Sequence, residues 1–274
     1  MLKFNTLLAD AGLDPEKVYL LRHQDRRMSD GRTVYSVWRS QKDDFEMYQR
    51  IQKWENRFEV GALIASFVVT PDGDTLFVGL YEITDLTKLT DSVFDPMIRH
   101  YVPAGHAFHT TEHCDLLADF KERLVIDWGP GERAWRQRAH MQNKDVIEIR
   151  RAFREREFPG YQSVICDVDR IEETPLKWRE HLQSVRGVYL LVCKETGDQY
   201  VGAAYGDGGF WNRWYAYSSN GHGGNALLKI RGKRAYAATI LEIFDSIATP
   251  TDIINAEARW KRKLGSRAHG LNAN

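Results

Sequence analysis

The sequence predicts an α+β protein with two domains: a mixed, β-barrel-like amino-terminal domain, and a small carboxy-terminal domain with a three-stranded antiparallel sheet flanked by helices. The length of 274 residues suits two domains. Apolar, β-branched runs joined by turn residues alternate with segments whose apolar residues have helical spacing. A polar stretch with a helix-breaking proline, residues 172–175, marks the seam between the domains. We therefore expect one domain over residues 1–173 and a second over residues 174–274.

The elements of the amino-terminal region favour a sheet with a few helices. Apolar residues at helical spacing predict a helix over residues 43–57. Two β-branched runs, residues 62–69 and 75–83, flank a Thr-Pro-Asp-Gly-Asp turn and predict a hairpin. Residues 124–128 and 163–168 are further predicted strands. This pattern favours a partly closed barrel or a curled sheet.

The carboxy-terminal region has a more regular order. A helix over residues 176–185 is followed by two strands, residues 187–192 and 199–204, joined by a Lys-Glu-Thr-Gly-Asp turn. Thr251 is the expected N-cap of the last helix, just after Pro250. The remaining predicted elements are helix, helix, strand and helix, over residues 210–218, 225–231, 236–244 and 252–264.

Composition argues against a membrane-spanning, secreted or disulfide-linked protein. The longest apolar runs are too short to span a bilayer, and the amino terminus lacks the apolar core of a secretory signal, so we expect a cytoplasmic protein. The three cysteines, Cys114, Cys166 and Cys193, are scattered and odd in number, which argues against a disulfide framework or a cysteine zinc site. A cluster of four histidines and one cysteine lacks the residue spacing of zinc ligands, so we interpret it as a solvated loop. It comprises His100, His106, His109, His113 and Cys114.

Charge is distributed unevenly along the chain. Residues 176–274 contain 14 basic and 8 acidic residues, a balance of +6, and because the whole chain has 38 of each, the rest carries −6. A basic patch of this kind suits a polyanion such as DNA, although a solvated helix face gives the same pattern. The candidate nucleic-acid contacts are Lys229, Arg231, Lys233, Arg234, Arg259, Lys261, Arg262, Lys263 and Arg267.

A series of motifs follows in the carboxy-terminal region. Gly-Val-Tyr ends at Tyr189 and Tyr-Val-Gly begins at Tyr200, on the two predicted strands of the hairpin. Arg213 opens the next helix, with Tyr217 one turn later. The motifs that follow are His222 in a glycine-rich turn, Glu257-x-x-Trp-x-x-x-Leu on the last helix, and Gly-Leu-Asn272. These residues and their order resemble the GIY-YIG nuclease family over about a third of the chain.

The resemblance implies a DNA endonuclease that hydrolyses phosphodiester bonds with one divalent metal ion, Mg²⁺ or Mn²⁺. It implies that Tyr189 deprotonates the attacking water and that Tyr200 hydrogen-bonds the phosphate or Tyr189. Some members of the family have a histidine in place of Tyr217, which leaves open what activates Tyr189; His222 is the nearest candidate in sequence. By the same resemblance Glu257 would bind the metal, and Asn272 would tie the chain end to the site.

The residue types also suit this chemistry. Arg213 can hold two phosphate oxygens with its planar guanidinium, and Tyr217 at i+4 projects from the same helix face. Glu257 shares a helix stripe with apolar residues, where a carboxylate is costly unless a cation pairs with it. A hard cation such as Mg²⁺ is one such partner.

The sequence leaves several functions open. The function is expected in restriction or defence, but a repair or mobile-element nuclease fits as well. A binding module with a nuclease-derived domain that no longer cuts is the alternative of a different class. The amino-terminal domain has an uncertain role; a weak likeness of residues 65–83 to PUA-like or EVE-like barrels suggests DNA recognition. The oligomeric state, including a homodimer, is open.

The amino-terminal domain also has candidate contacts of its own. Four tryptophans could stack a base, although core packing is the expected place for most: Trp38, Trp54, Trp128 and Trp135. Candidate phosphate contacts are Arg22, Arg26, Arg27, Arg133, Arg136 and Arg138.

Overall fold

A computed structural model describes residues 1–24, 32–130, 134–245 and 247–272. The described residues form two compact units. Those in 1–24 and 33–154 make the amino-terminal unit, and residue 32 with those in 155–272 makes the carboxy-terminal unit. Arg26, Arg27 and Arg133 lie outside the described residues. No helix in the described part of the chain is long and apolar enough to cross a membrane.

The amino-terminal unit is built on an eight-stranded sheet that curls into a half-barrel. Its strands are β1 (Val18–His23), β2 (Ile51–Gln52), β3 (Leu63–Val69), β4 (Thr75–Lys88), β7 (Ala107–His113), β8 (Leu124–Ile126), β9 (Arg136–Arg138) and β10 (Val146–Ile149), and a small hairpin adds β5 (Val93–Asp95) and β6 (His100–Val102). Its helices are α1 (Phe4–Asp10), α2 (Val34–Ser40) and α3 (Lys42–Arg50). The main path runs β10-β8-β4-β3-β1-β9, and β1 and β3 are parallel. The predicted curled sheet and its β3–β4 hairpin are therefore present.

Two local predictions for this unit were wrong. The helix expected over residues 43–57 ends at Arg50, because Ile51 and Gln52 pair with β7 as a short strand. The histidine cluster is not a solvated loop, because His100 and His109 lie on strands. His109 is fully buried, accepts the backbone N–H of Phe58 and donates to the carbonyl of Arg50. The described residues contain no group of three or more His, Cys, Asp or Glu side chains that could hold a metal.

The carboxy-terminal unit has a four-stranded antiparallel sheet in the order β11-β14-β12-β13. Its strands are β11 (Ile165–Asp167), β12 (Arg186–Cys193), β13 (Gln199–Ala204) and β14 (Tyr236–Phe244). Its helices are α4 (Leu176–Ser184), α5 (Gly209–Asn220), α6 (Ala226–Arg231), α7 (Pro250–Lys263) and α8 (Ser266–His269). The unit combines an antiparallel sheet with helices as predicted, but the sheet has four strands where three were expected.

The fourth strand also moves the boundary between the units. Residues 163–168 were predicted as a strand of the amino-terminal domain, yet β11 pairs with β14 in the carboxy-terminal sheet. Val164, Cys166 and Ile171 are buried in the core around α5. The units accordingly divide between Arg154 and Glu155, ahead of the seam expected at residues 172–175.

The two faces of this sheet pack against different helices, because successive strand residues point to opposite sides. On one face, Tyr189 and Leu191 of β12 pack against α5 through residues such as Trp214. On the other face, Val188 and Val201 pack against α7. The N-cap of α7 is Thr249, not Thr251, because Thr249 and Asp252 form a reciprocal capping box around Pro250.

Candidate active site

Three of the motif side chains meet on the α5 face of the carboxy-terminal sheet. Tyr189 of β12 is paired with Gly202 of β13, and Tyr200 lies two positions earlier on β13. The Tyr189 and Tyr200 ring centroids are 6.5 Å apart, and each lies 6.2 Å or so from the ring of Tyr217 on α5. The sheet and α5 therefore bring together the tyrosines of both strand motifs and of the helix motif.

Arg213 connects two of these phenols. Its Nε donates to the Tyr189 hydroxyl at 3.0 Å, and one terminal nitrogen donates to the Tyr217 hydroxyl at 3.2 Å. Its other terminal nitrogen donates to the carbonyl of Gly223 at 2.8 Å. The two hydroxyls lie 2.9 Å apart and share a hydrogen bond of their own. Arginine has five N–H donors, so these three bonds leave two for a ligand.

Two glycines are needed for this arrangement. A Cβ on Gly202 would lie 2.4 Å from the Tyr189 hydroxyl, so a side chain there would displace the ring. Gly223 has a left-handed backbone with φ of +51°, and a Cβ there would lie 2.6 Å from the Tyr217 ring. The glycines of the Tyr-Val-Gly motif and of the glycine-rich turn thus make room for the two phenols.

Burial decides the protonation of the cluster. Tyr189 is 0% exposed and Tyr217 is 1% exposed, and burial raises the pKa of each phenol well above its ordinary value near 10. Both therefore keep their protons at neutral pH. Tyr200 retains 5% exposure, and its hydroxyl has no hydrogen-bond partner among the described residues. Tyr200 is thus the phenol of the three with hydrogen-bonding capacity to spare.

The raised phenol pKa values predict a loss of stability in alkali. Between pH about 10 and the folded pKa, the unfolded chain has lost protons that the folded chain keeps, so the free energy of unfolding falls as pH rises. We expect Tyr217→Phe to make this fall shallower by up to about 1.4 kcal/mol per pH unit, measured by urea unfolding between pH 9 and 11. Tyr205→Phe, which removes a phenol that is 45% exposed, is the matched control. Equal slopes in wild type and Tyr217→Phe would contradict this interpretation.

His222 does not contact Tyr189 through any hydrogen bond of the described residues. Its Nδ1 accepts the backbone N–H of Gly224 at 2.9 Å, which stabilises the turn after α5. Asn220 closes the same turn by accepting the N–H groups of His222 and Gly223 with its side-chain oxygen. The group that contacts Tyr189 is Arg213, not the histidine nearest in sequence. An Asn directly before a glycine-rich turn, as in Asn220-Gly-His-Gly-Gly, is the sequence signal for this hydrogen-bonded turn.

Asn272 ties the chain to the middle of the hairpin. Its side-chain oxygen accepts the N–H of Val201 at 2.9 Å, and its side-chain nitrogen donates to the Val201 carbonyl at 2.8 Å. Ser266 also donates to the Asn272 oxygen at 2.7 Å. Asn272 is 3% exposed, so it holds the backbone between Tyr200 and Gly202 from within the core.

Glu257 lies on α7, the helix that packs on the sheet face opposite the tyrosines. Its Oε1 pairs with the Nζ of Lys261 at 3.1 Å, one turn later on the same helix. Both side chains are largely buried, at 15% and 7% exposure. The sequence predicts a cation beside this largely buried carboxylate. In the structure that cation is Lys261, a lysine of the same helix. The structure does not join Glu257 to Tyr189, Arg213 or Tyr217 by a hydrogen bond among the described residues.

The predicted basic patch is partly neutralised. Lys261 is buried, so it was wrongly counted as a surface contact for DNA. The members paired with carboxylates of the unit are Arg231 with Asp198, Arg234 with Glu195, Arg259 with Glu242, and Lys261 with Glu257. Among the described residues, no ion pair joins Lys229, Arg262 or Lys263 to a carboxylate, and all three are exposed. Lys233 and Arg267 are exposed as well.

The tryptophans of the carboxy-terminal unit are mostly core residues. Trp214 is fully buried beside Tyr189, and Trp211 is buried with the guanidinium of Arg179 4.7 Å from its ring. Trp260 is half-buried on α7 and donates to Glu242. The burial of Trp211 and Trp214 leaves neither ring free to stack on a base.

No protein-family model matches the chain, and neither a curated protein nor a solved structure matches it significantly.

Proposed function

We propose that the protein is a DNA endonuclease that hydrolyses phosphodiester bonds with a divalent metal ion. The observation that carries this proposal is the Arg213 guanidinium, which is fixed by both Tyr189 and Tyr217 and keeps two N–H donors for a ligand. A planar, fixed guanidinium matches two oxygens of a phosphate. A positive charge fixed in this way stabilises the negative charge on the phosphate oxygens in the transition state of hydrolysis.

The three phenols divide into two roles in this proposal. Tyr189 and Tyr217 are positioning residues, because their hydroxyls fix Arg213 and their raised pKa values keep them neutral. Tyr200 donates to the phosphate through its spare hydroxyl. The role of base, which the family resemblance gives to Tyr189, then requires that DNA binding opens a path for water to this buried hydroxyl.

Glu257 is the residue that would hold the metal ion, Mg²⁺ or Mn²⁺. Its carboxylate fits a hard cation, because only Oε1 is paired with Lys261 and Oε2 has no partner among the described residues. A divalent ion at this carboxylate would supply positive charge to a phosphate and lower the pKa of a bound water. Because α7 covers the sheet face opposite Tyr189, this role requires that the DNA backbone also reaches the α7 side of the unit. The protein's own residues would position the DNA phosphate through Arg213 and Tyr200.

The direct test is incubation of the purified protein with DNA in Mg²⁺ or Mn²⁺, and in EDTA. We expect cleavage with the metal ion and none with the chelator. Parallel digestion of DNA with modified and unmodified bases tests a role in restriction or defence, which predicts that modification changes the cleavage. Absence of cleavage in every DNA and metal combination would contradict the proposed activity.

Arg213→Lys should impair cleavage about a hundredfold. Lysine keeps the charge but cannot donate to Tyr189, Tyr217 and Gly223 from one rigid fork, and loss of one fixed donor typically costs a factor of this order. Single-turnover cleavage rates measure the effect. Arg262→Lys, at an exposed position of α7, is the charge-matched control and should cleave within about twofold of wild type. A lysine variant as fast as wild type would show that Arg213 acts through charge alone.

The burial of Tyr189 and Tyr217 and the pairing of Glu257 support a second candidate function. The Tyr189 and Tyr217 side chains are 0% and 1% exposed, and Glu257 is already paired with Lys261. These features suit a nucleic-acid-binding module with a nuclease-derived domain that no longer cuts. DNA binding without cleavage in Mg²⁺ and Mn²⁺ would favour this second function.

A further inference from the structure

The amino-terminal unit contains a cleft that the proposed hydrolysis does not use. Its volume is about 420 Å³, and it lies where β1 ends and α3 gives way to β2. Four rings line it: the buried His23 at the end of β1, Tyr48 from α3, His106 from the turn before β7, and Trp135 from the segment before β9. Tyr48, His106 and Trp135 are half-buried, so each keeps part of its side chain accessible, while Tyr48 and Trp135 also pack against the core.

Polar groups in the cleft have hydrogen-bonding capacity to spare. Gln24 and Asn56 line it and are half-buried, and their side-chain amides make no hydrogen bond with any described residue. The Nδ1 of His106 donates to the carbonyl of Pro103 at 3.1 Å, which leaves Nε2 as an acceptor. The cleft thus presents amide donors and acceptors beside aromatic walls.

Cationic side chains lie next to the cleft. The guanidinium of Arg136 donates to the Asn56 carbonyl at 2.6 Å and lies 5.4 Å from the ring of Phe58. Lys53 lines the cleft itself and is exposed. An anionic group attached to a ligand in the cleft would therefore find positive charge at its edge.

We propose that this cleft binds a single unpaired nucleobase. A base is a flat ring that stacks on aromatic side chains and pairs its edge with amide donors and acceptors, which is the set that lines the cleft. Its phosphate would meet Lys53 or Arg136. Two sources of such a base are distinguishable: a free nucleotide, and a base that has left the stack of a DNA duplex. This assignment goes beyond the proposed hydrolysis and does not depend on it.

The test uses the full-length protein in EDTA, so that binding is measured without cleavage. Fluorescence anisotropy compares an end-labelled duplex with one unpaired base against the same duplex fully paired. Calorimetry measures the binding of the four deoxynucleoside monophosphates. We expect about tenfold tighter binding of the duplex with the unpaired base. Binding of the monophosphates without any preference between the duplexes would assign the site to free nucleotides.

Variants locate the binding in the cleft. Asn56→Ala should remove most of the preference for the unpaired base, because loss of a base-edge hydrogen-bond partner typically weakens binding about tenfold. Trp135→Ala should do the same by removing a stacking wall, and Asn56→Ala keeps the test decisive if that variant does not fold. Gln142→Ala, at an exposed position outside the cleft, is the matched amide control. Equal affinity for both duplexes and no binding of monophosphates would overturn the proposal, whether or not the protein cuts DNA.

Discussion

We expect Glu257→Gln to lower the rate of DNA cleavage about a thousandfold while leaving DNA binding nearly unchanged. Glutamine keeps the length of the side chain and an oxygen that Lys261 can contact, but it lacks the negative charge that a divalent ion requires. A metal ion contributes several kcal/mol to a transition state, and each 1.36 kcal/mol is a factor of ten in rate. Binding in EDTA rests on exposed basic residues that this change does not touch.

The measurement pairs single-turnover cleavage in Mg²⁺ with DNA affinity in EDTA. Glu180→Gln, at an exposed position of α4, is the charge-matched control and should behave as wild type in both assays. The pair of assays separates two explanations, because a folding defect would lower both values together. Cleavage at the wild-type rate by the glutamine variant would remove Glu257 from the metal site.

A chain that begins at Thr174 should fail to fold, whereas one that begins at Glu155 should fold. The shorter chain lacks β11 and four buried residues of the core around α5: Val164, Cys166, Val168 and Ile171. Burial of an aliphatic side chain contributes about 1.5–3 kcal/mol, so Val164, Val168 and Ile171 together supply about 4.5–9 kcal/mol. The whole stability of a domain is about 5–15 kcal/mol.

Circular dichroism during heating distinguishes the two chains. We expect one cooperative transition for the chain from Glu155 and no transition for the chain from Thr174. The full-length protein provides the reference signal. A cooperative transition in the shorter chain would mean that β11 is dispensable and that the seam at residues 172–175 is the true boundary.

Local patterns were sufficient for most of the carboxy-terminal unit. Strands β12, β13 and β14 and helix α7 were predicted within a residue or two, because each has a long, periodic run of apolar residues. Strand β11 was assigned to the wrong unit, because a strand of three residues is defined by its distant partner β14 and not by its own pattern. Likewise, the pairing of Ile51 with β7 ended the first long helix early.

The candidate site was predicted in part for a similar reason. Tyr189 and Tyr200 on a hairpin, with Arg213 and Tyr217 one turn apart, are short-range relations that sequence spacing specifies. The position of Glu257 relative to them depends on which sheet face α7 covers, and this is a tertiary choice. Lys261 was predicted on the surface, but its i,i+4 relation to Glu257 places both side chains on the same largely buried stripe of α7.

Asn272 covers the open edge of the carboxy-terminal sheet with its side-chain amide. Strand β13 is the last strand of its sheet, and the amide of Asn272 occupies the N–H and carbonyl of Val201 that face away from β12. An open strand edge of this kind recruits strands from other molecules. An Asn272 variant that loses activity would therefore be expected to self-associate, so its oligomeric state has to be known before the loss is attributed to chemistry.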